Sequence, residues 1–276
     1  MIYDSHELYT EMSTLSCWER RLLKYCERYL IHRVDKVITV NQSIANELSK
    51  RYKISLPEVI MNCPVINNQK ASPCENLLLK RLRLDKAVPI ILYQGGFAPN
   101  RGLQNLILSA HYLNEGIIVL MGWGKLEQEL KNLVKAENLN DKVMFLDPVP
   151  QEELLIHTRC ATLGVIPFQF VGLNNYYATP NKLFEYIAAG LPVVASNFPE
   201  LKRIIEGYNL GKTFNPEDPK DIAAAINDVL SDKARYEEMR KNALEAAKVF
   251  NWENESKKLL AIYRNLSEVI QNDKRE

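Results

Sequence analysis

The sequence predicts an α/β protein built on a parallel sheet with helices on both faces. Two observations lead there. From Val88 onward, short apolar runs alternate regularly with helix-type patterns. The runs are continuous rather than alternating, as strands buried on both faces require. In such sheets ligands bind at the carboxyl ends of the strands.

In chain order, Ser16 to Val34 reads as an amphipathic helix. Its outer side holds Trp18, Arg20, Arg21, Lys24, Tyr25, Arg28 and Arg33, and Leu22, Leu23 and Leu30 are expected to be buried. Lys36–Val40 is a strand, and Asn41 or Ser43 caps a helix running to about Tyr52. Glu58–Met61 is a second short strand. Residues 62–73, rich in Asn, Pro and Ser, read as a linker. Ile90–Tyr93 then opens the regular series, followed by a helix carrying Leu103, Leu106, Ile107 and Ala110 on one face. Strand Ile117–Met121, helix Leu126–Ala136, strand Val143–Leu146, helix Glu152–Thr158 and strand Thr162–Ile166 come next. Thr179 caps a further helix and Pro180 suits its first position. Gly190 fits its left-handed end. Strand Val193–Ala195, helix Glu200–Glu206 and a helical tail from Asp218 to about Asn272 complete the chain.

At 276 residues there is room for one large domain or two smaller ones. An apolar content of 46% and a charged content of 25% are ordinary for a soluble protein. The net charge of +1 argues against a nucleic-acid partner. No apolar run approaches bilayer length, and the start lacks signal-peptide character. Five scattered cysteines without a Cys-x-x-Cys pair read as reduced thiols in a cytoplasmic protein.

Several segments carry residues suited to chemistry. In the helix after Pro180, Leu183, Phe184, Ile187 and Ala188 form the buried face, and Glu185 lies off it beside Lys182. A carboxylate so placed, facing a cleft, accepts two hydrogen bonds from a sugar diol; taken alone, it reads as a solvated helix glutamate. Gly95-Gly96-Phe97-Ala98-Pro99-Asn100-Arg101-Gly102 joins a strand to a helix. Its glycines let backbone approach a phosphate, and Arg101 adds a forked donor set. The same segment alone is equally a tight turn with a surface arginine. It is no Walker loop, because no Gly-Lys-Ser/Thr follows. Gly122-Trp123-Gly124 reads as a structural turn; Glu127 stands where a dinucleotide fingerprint needs its third glycine, which weighs against NAD. In the loop from Phe168 to Ala178, Asn174 and Asn175 are candidates to hydrogen-bond a sugar, and Tyr176 or Tyr177 to stack on one; the segment reads equally as a mobile loop whose polar residues are solvated. His6 sits in Asp-Ser-His-Glu; His32, His111 and His157 fall on helices without partners and read as structural or surface groups.

The run Pro180-Asn-Lys-Leu-Phe-Glu-Tyr-Ile-Ala-Ala-Gly-Leu-Pro-Val-Val194 resembles the donor-binding motif of GT-B glycosyltransferases of the retaining family 4. The resemblance implies two Rossmann-like domains with the active site between them. It implies that Glu185 holds the ribose of a nucleotide-sugar, that Gly95, Gly96 and Arg101 hold the diphosphate, and that Lys182 is a second cation there. Arg101-Gly102 matches the family's Lys-Gly; Gly96-Phe97 stand where an arginine is usual. Tyr177 replaces the first glutamate of the Glu-x7-Glu motif, so backbone amides of residues 174–178 are expected to take over that contact. His6 becomes the candidate at the reacting centre, facing the donor sugar.

The resemblance further divides the chain into a partial N-terminal acceptor-side domain (1–66), a complete donor-binding domain (67–250) and a returning C-terminal helix (251–276). Roughly a hundred N-terminal residues of a usual member would be missing, given ordinary domain sizes. The truncated sheet is then expected to expose an edge and self-associate. The expected activity is transfer of a sugar from a nucleotide-diphosphate sugar to a glycan or lipid-linked acceptor, with retention, without cofactor or metal. Expected partners are that donor and acceptor, a peripheral membrane contact and a chain supplying the missing half. The expected place is the cytoplasm, at the inner membrane face. The competing expectation is a non-catalytic or split-subunit fragment that only binds the nucleotide-sugar.

Overall fold

The computed structural model describes residues 1–66, 77–84 and 88–273, with side chains to residue 268. Two parallel sheets organise them. In the smaller, β1 (Ile2–Ser5), β2 (Lys36–Thr39) and β3 (Glu58–Val59) lie in the order β1-β2-β3. α1 (Cys17–Leu30) and α2 (Gln42–Tyr52) connect them. Ser16 and Glu19 form a reciprocal capping box that starts α1, and Asn41 Oδ1 accepts from Ile44 N to start α2. After α3 (Leu77–Leu82) the larger sheet begins.

β4 (Ile90–Gln94), α4 (Leu103–Ser109), β5 (Ile117–Met121), α5 (Glu127–Ala136) and β6 (Val143–Leu146) step outward in one direction. α6 (Gln151–Thr158) carries the chain back, and β7 (Leu163–Ile166) pairs with the other side of β4. α7 (Leu173–Tyr176), α8 (Asn181–Ala189), β8 (Val193–Ser196), α9 (Pro199–Gly207) and β9 (Gly211–Phe214) then step the opposite way. The order is β6-β5-β4-β7-β8-β9, all parallel, with its topological switch between β4 and β7. α10 (Pro219–Ser231), α11 (Lys233–Ala247) and α12 (Trp252–Asp273) follow.

Alternation along β4 explains the two cores. Ile90 and Leu92 face one apolar cluster, while Ile91 and Tyr93 face the other. On β7, Gly164 lets the ring of Tyr186 lie against the strand, since a Cβ there would stand 2.3 Å from it. The Tyr186 hydroxyl donates to Leu92 O at 2.9 Å and accepts from Gln94 N at 3.2 Å. α8 is thereby pinned to the strands at the switch. α12 is tied to the segment after β3: Trp252 N donates to Pro64 O, and Glu255 accepts from Met61 N, both at 3.0 Å.

Four expectations need correction. α8 begins at Asn181, with no side-chain cap; Pro180 occupies the N-cap position, and Thr179 instead accepts from Asn41 Nδ2. Leu22, Leu23 and Leu30 are exposed: Leu23 and Leu30 line an open apolar groove beside β1, and the side of α1 packed on the protein carries Arg20, Lys24 and Glu27. His111 is paired with Glu137 at 3.0 Å, and His157 bonds Glu153 O. Cys17, Cys26 and Cys63 are free thiols, but Cys160 is disulfide-bonded. Strand β9 was not anticipated; its residues Lys212 and Thr213 break the apolar run. Residues 67–73 of the expected linker lie outside the described residues.

Candidate functional site

The carboxyl ends of β4, β5 and β7 open on a cleft of about 650 Å³ between the two sheets. Its floor is built by the turn after β4. Gly95 has φ +128, and a Cβ on it would stand 3.1 Å from Lys182 Nζ. Gly122 presses on the same turn, since a Cβ there would come within 1.9 Å of Gly95 O. Backbone thus packs on backbone, and Gly122-Trp123-Gly124 is a structural turn whose glycines hold the floor close to the sheet.

Seven of the nine sequence-predicted residues line this cleft: His6, Gly95, Gly96, Arg101, Asn174, Lys182 and Glu185. Lys182 Nζ rests over the Tyr93 ring at 3.8 Å, and the Arg101 guanidinium over Phe168 at 4.5 Å. Aromatic faces support both cations without neutralising them. Burial, reinforced by nearby Arg101 and opposed by Glu185, pushes the Lys182 amine down to about 7. Glu185 is raised by burial, against the lowering effects of Gln94 and Lys182. Gln94 Nε2 donates to Glu185 Oε2, while Gln94 Oε1 accepts from Thr158 Oγ1 at 2.8 Å. One carboxylate oxygen is therefore held, and the helix presents the group to the cleft.

The remaining predicted residues are placed differently. Asn174 spans the two sheets: its Oδ1 accepts from Leu8 N at 2.9 Å and its Nδ2 donates to Glu7 at 3.1 Å. Asn175 and Tyr177 do not line the cleft. Tyr177 packs with the apolar cluster of the smaller sheet, around Leu8, Ile44 and Tyr52. His6 lines the cleft from the end of β1, exposed, with Nε2 3.1 Å from Asp4. Sequence reasoning missed Gln94 and Asn41. Gln94 was visible only as the residue before Gly95-Gly96. Asn41 was read as a helix cap, but its Nδ2 also donates to Tyr177 O at 2.7 Å. No group of three or more His, Cys, Asp or Glu side chains suited to a metal exists among the described residues.

The fold is shared with known structures. The chain superposes on sucrose-phosphate synthase of Thermosynechococcus elongatus with a TM-score of 0.80 and 23% identity, covering 97% of this chain and 68% of that one. It superposes on Anabaena HepE in complex with UDP-glucose with a TM-score of 0.77 and 18% identity, covering 98% and 72%. These likenesses establish the fold as that of GT-B glycosyltransferases.

Within that class the chain belongs to the glycosyl transferases group 1 family, whose model matches residues 76–246. It is 23% identical over 256 residues to TuaH of Bacillus subtilis, a glycosyltransferase named for teichuronic acid biosynthesis, covering 88% of this chain and 62% of that one. It is 24% identical over 257 residues to D-inositol 3-phosphate glycosyltransferase of Corynebacterium kroppenstedtii, covering 88% and 56%. The chain thus spans about six tenths of the length of these relatives.

Proposed function

We propose that the cleft binds a nucleotide-diphosphate sugar and that the chain serves its transfer to a glycan or lipid-linked acceptor, with retention. The carrying observation is one carboxylate, Glu185, and two basic side chains, Lys182 and Arg101, converging on a glycine floor at the sheet's switch point. Glu185 holds the ribose diol with the lone pairs Gln94 leaves free. Lys182, Arg101 and the backbone of Gly95 and Gly96 hold the diphosphate and stabilise its charge as it departs. His6 faces the donor sugar from the opposite wall. No step requires a metal or other cofactor.

The division follows from these roles: residues 1–66 on the acceptor side, 67–250 for the donor, and 251–276 returning to the first part. The relative named for teichuronic acid biosynthesis supports a role in cell-surface polysaccharide or glycoconjugate synthesis. The proposed setting is the cytoplasm at a membrane face; the exposed thiols Cys17 and Cys26 fit it, and the disulfide at Cys160 does not.

Calorimetric titration with UDP, GDP and ADP tests the reading. One nucleotide should bind, and Glu185→Ala should weaken it about 10- to 100-fold, as loss of a charged hydrogen-bond partner does. Equal binding by the variant would reject the ribose assignment. A second reading, a non-catalytic fragment or one part of a split enzyme, is favoured by Tyr177 turning away from the cleft. Under it the nucleotide binds, but no sugar is released from any matching nucleotide-sugar.

A further inference from the structure

We infer that Thr158, which does not line the cleft, is a positioning residue that sets how strongly the cleft distinguishes ribose from a sugar lacking its hydroxyls. This role depends on Glu185 holding the ribose diol. Behind Glu185 stands Gln94, and behind Gln94 stands Thr158, the last residue of α6. Thr158 is wholly shielded from solvent and Gln94 nearly so. The Thr158 hydroxyl must therefore find its partners within the protein.

That hydroxyl has one proton and two acceptors in reach, Gln94 Oε1 and Leu154 O, each at 2.8 Å. Leu154 O lies one turn back in α6, where a carbonyl ordinarily accepts from the backbone. A helical threonine without a tertiary partner gives its proton to such a carbonyl. Gln94 decides otherwise. An ionised Glu185 only accepts, so the end of the Gln94 amide that faces it is Nε2. Oε1 then points at Thr158, and two oxygens 2.8 Å apart need a proton between them. Thr158 supplies it, and Leu154 O goes without.

Three residues, from α6, β4 and α8, thus form one relay in which each hydrogen bond fixes the sense of the next. Turned over, the Gln94 amide would set its oxygen against the Glu185 carboxylate, acceptor against acceptor. The Thr158 proton prevents that reversal and keeps the Gln94 N–H on Glu185 Oε2. The remaining lone pairs of Glu185 stay free for two sugar hydroxyls. Burial raises Glu185, and the Gln94 hydrogen bond opposes that rise, which keeps the acceptor form in place. The cations proposed for the diphosphate rest on other groups, Lys182 on Tyr93 and Arg101 on Phe168. A change at Thr158 therefore bears on the ribose and not on the diphosphate.

The test is calorimetry of the whole chain with whichever of UDP, GDP and ADP it binds, set against the dideoxy form of the same nucleotide, which lacks both ribose hydroxyls. The unaltered chain should prefer the ribose form about 10- to 100-fold. Thr158→Val keeps the shape and removes the hydroxyl. It should weaken the ribose form about five- to tenfold and leave the dideoxy form unchanged. Thr158→Ser should restore the preference. Gln94→Met should lose at least as much, and adding Thr158→Val to it should cost nothing more, because Thr158 acts only through Gln94. Should Thr158→Val not fold, Thr158→Cys, whose thiol is a weak donor, carries the same comparison. Equal weakening of both nucleotide forms would make Thr158 merely structural and overturn the proposal. So would a full preference kept by a folded Thr158 variant or by Gln94→Met. A nucleotide bound by the unaltered chain without preference for ribose would overturn the ribose assignment and this role with it; a preference indifferent to Thr158 overturns this role alone.

Discussion

Lys182 is the residue whose state the cleft most strongly controls. Its amine is held at about 7 by burial and by Arg101, so near neutrality it is half charged before any ligand arrives. A diphosphate favours the charged form. Below pH 7 the proton is already present and donor affinity should be level. As pH rises through 7, binding must take up a proton, and affinity should fall by up to about tenfold per unit. A nucleotide-diphosphate sugar, which does not titrate there, is the ligand to use. Calorimetry at pH 8 in two buffers of different ionisation enthalpy should report proton uptake, and Lys182→Met should remove it. A flat affinity from pH 6 to 9 without uptake would show that Lys182 does not touch the ligand. Glu185 and Lys182 were legible as sequence because their motif is local. Gln94, which holds Glu185, was not: its partner lies 91 residues away.

Glu200 shows how one element sets another. It stands in the first turn of α9, is buried, and accepts from Ser43 N at the start of α2 at 2.7 Å. Arg203 bonds its other oxygen at 2.7 Å. A carboxylate at this helix N-terminus satisfies a free backbone donor and meets the positive end of the dipole. Glu200→Ala should lower stability by about 2–3 kcal/mol, and Glu200→Gln, which keeps an acceptor, by about 1 kcal/mol. Urea unfolding separates the two; equal midpoints would mean that the contact contributes nothing. Elements β4 to β8 were readable because continuous apolar runs have one physical solution, a sheet covered twice. The periodicity of α1 was equally readable, but not which side faces inward. That was decided by Glu11, Met12, Tyr3 and Tyr52, none of them part of the helix.

The two sheets meet through polar contacts at Asn41, Asn174 and Glu200 and through the apolar packing of Leu173 and Tyr177, with the cleft between them. α12 adds a clasp from the far end of the chain, where buried Glu255 accepts from Met61 N and pairs with Lys258 at 2.6 Å. Glu255→Ala should speed hydrogen exchange at the Met61 amide at least about tenfold, with strands β4 and β5 unchanged, because a local opening loses its charged acceptor. Uniform loss of protection would show instead that the clasp supports the whole fold. This layout was only partly legible: strand-type alternation gave the sheets, but contacts across 150 residues leave no local pattern. The absent side chain at Gly164 has a consequence for anyone who wishes to redesign the specificity of this cleft. Position 164 does not line the cleft, yet any larger residue there displaces Tyr186, and Glu185 is the neighbour of Tyr186. Mutational libraries aimed at the cleft walls away from Gly95 and Gly122 can range widely, while this interior site too must be left untouched, or the altered preference they report will be that of a tilted helix.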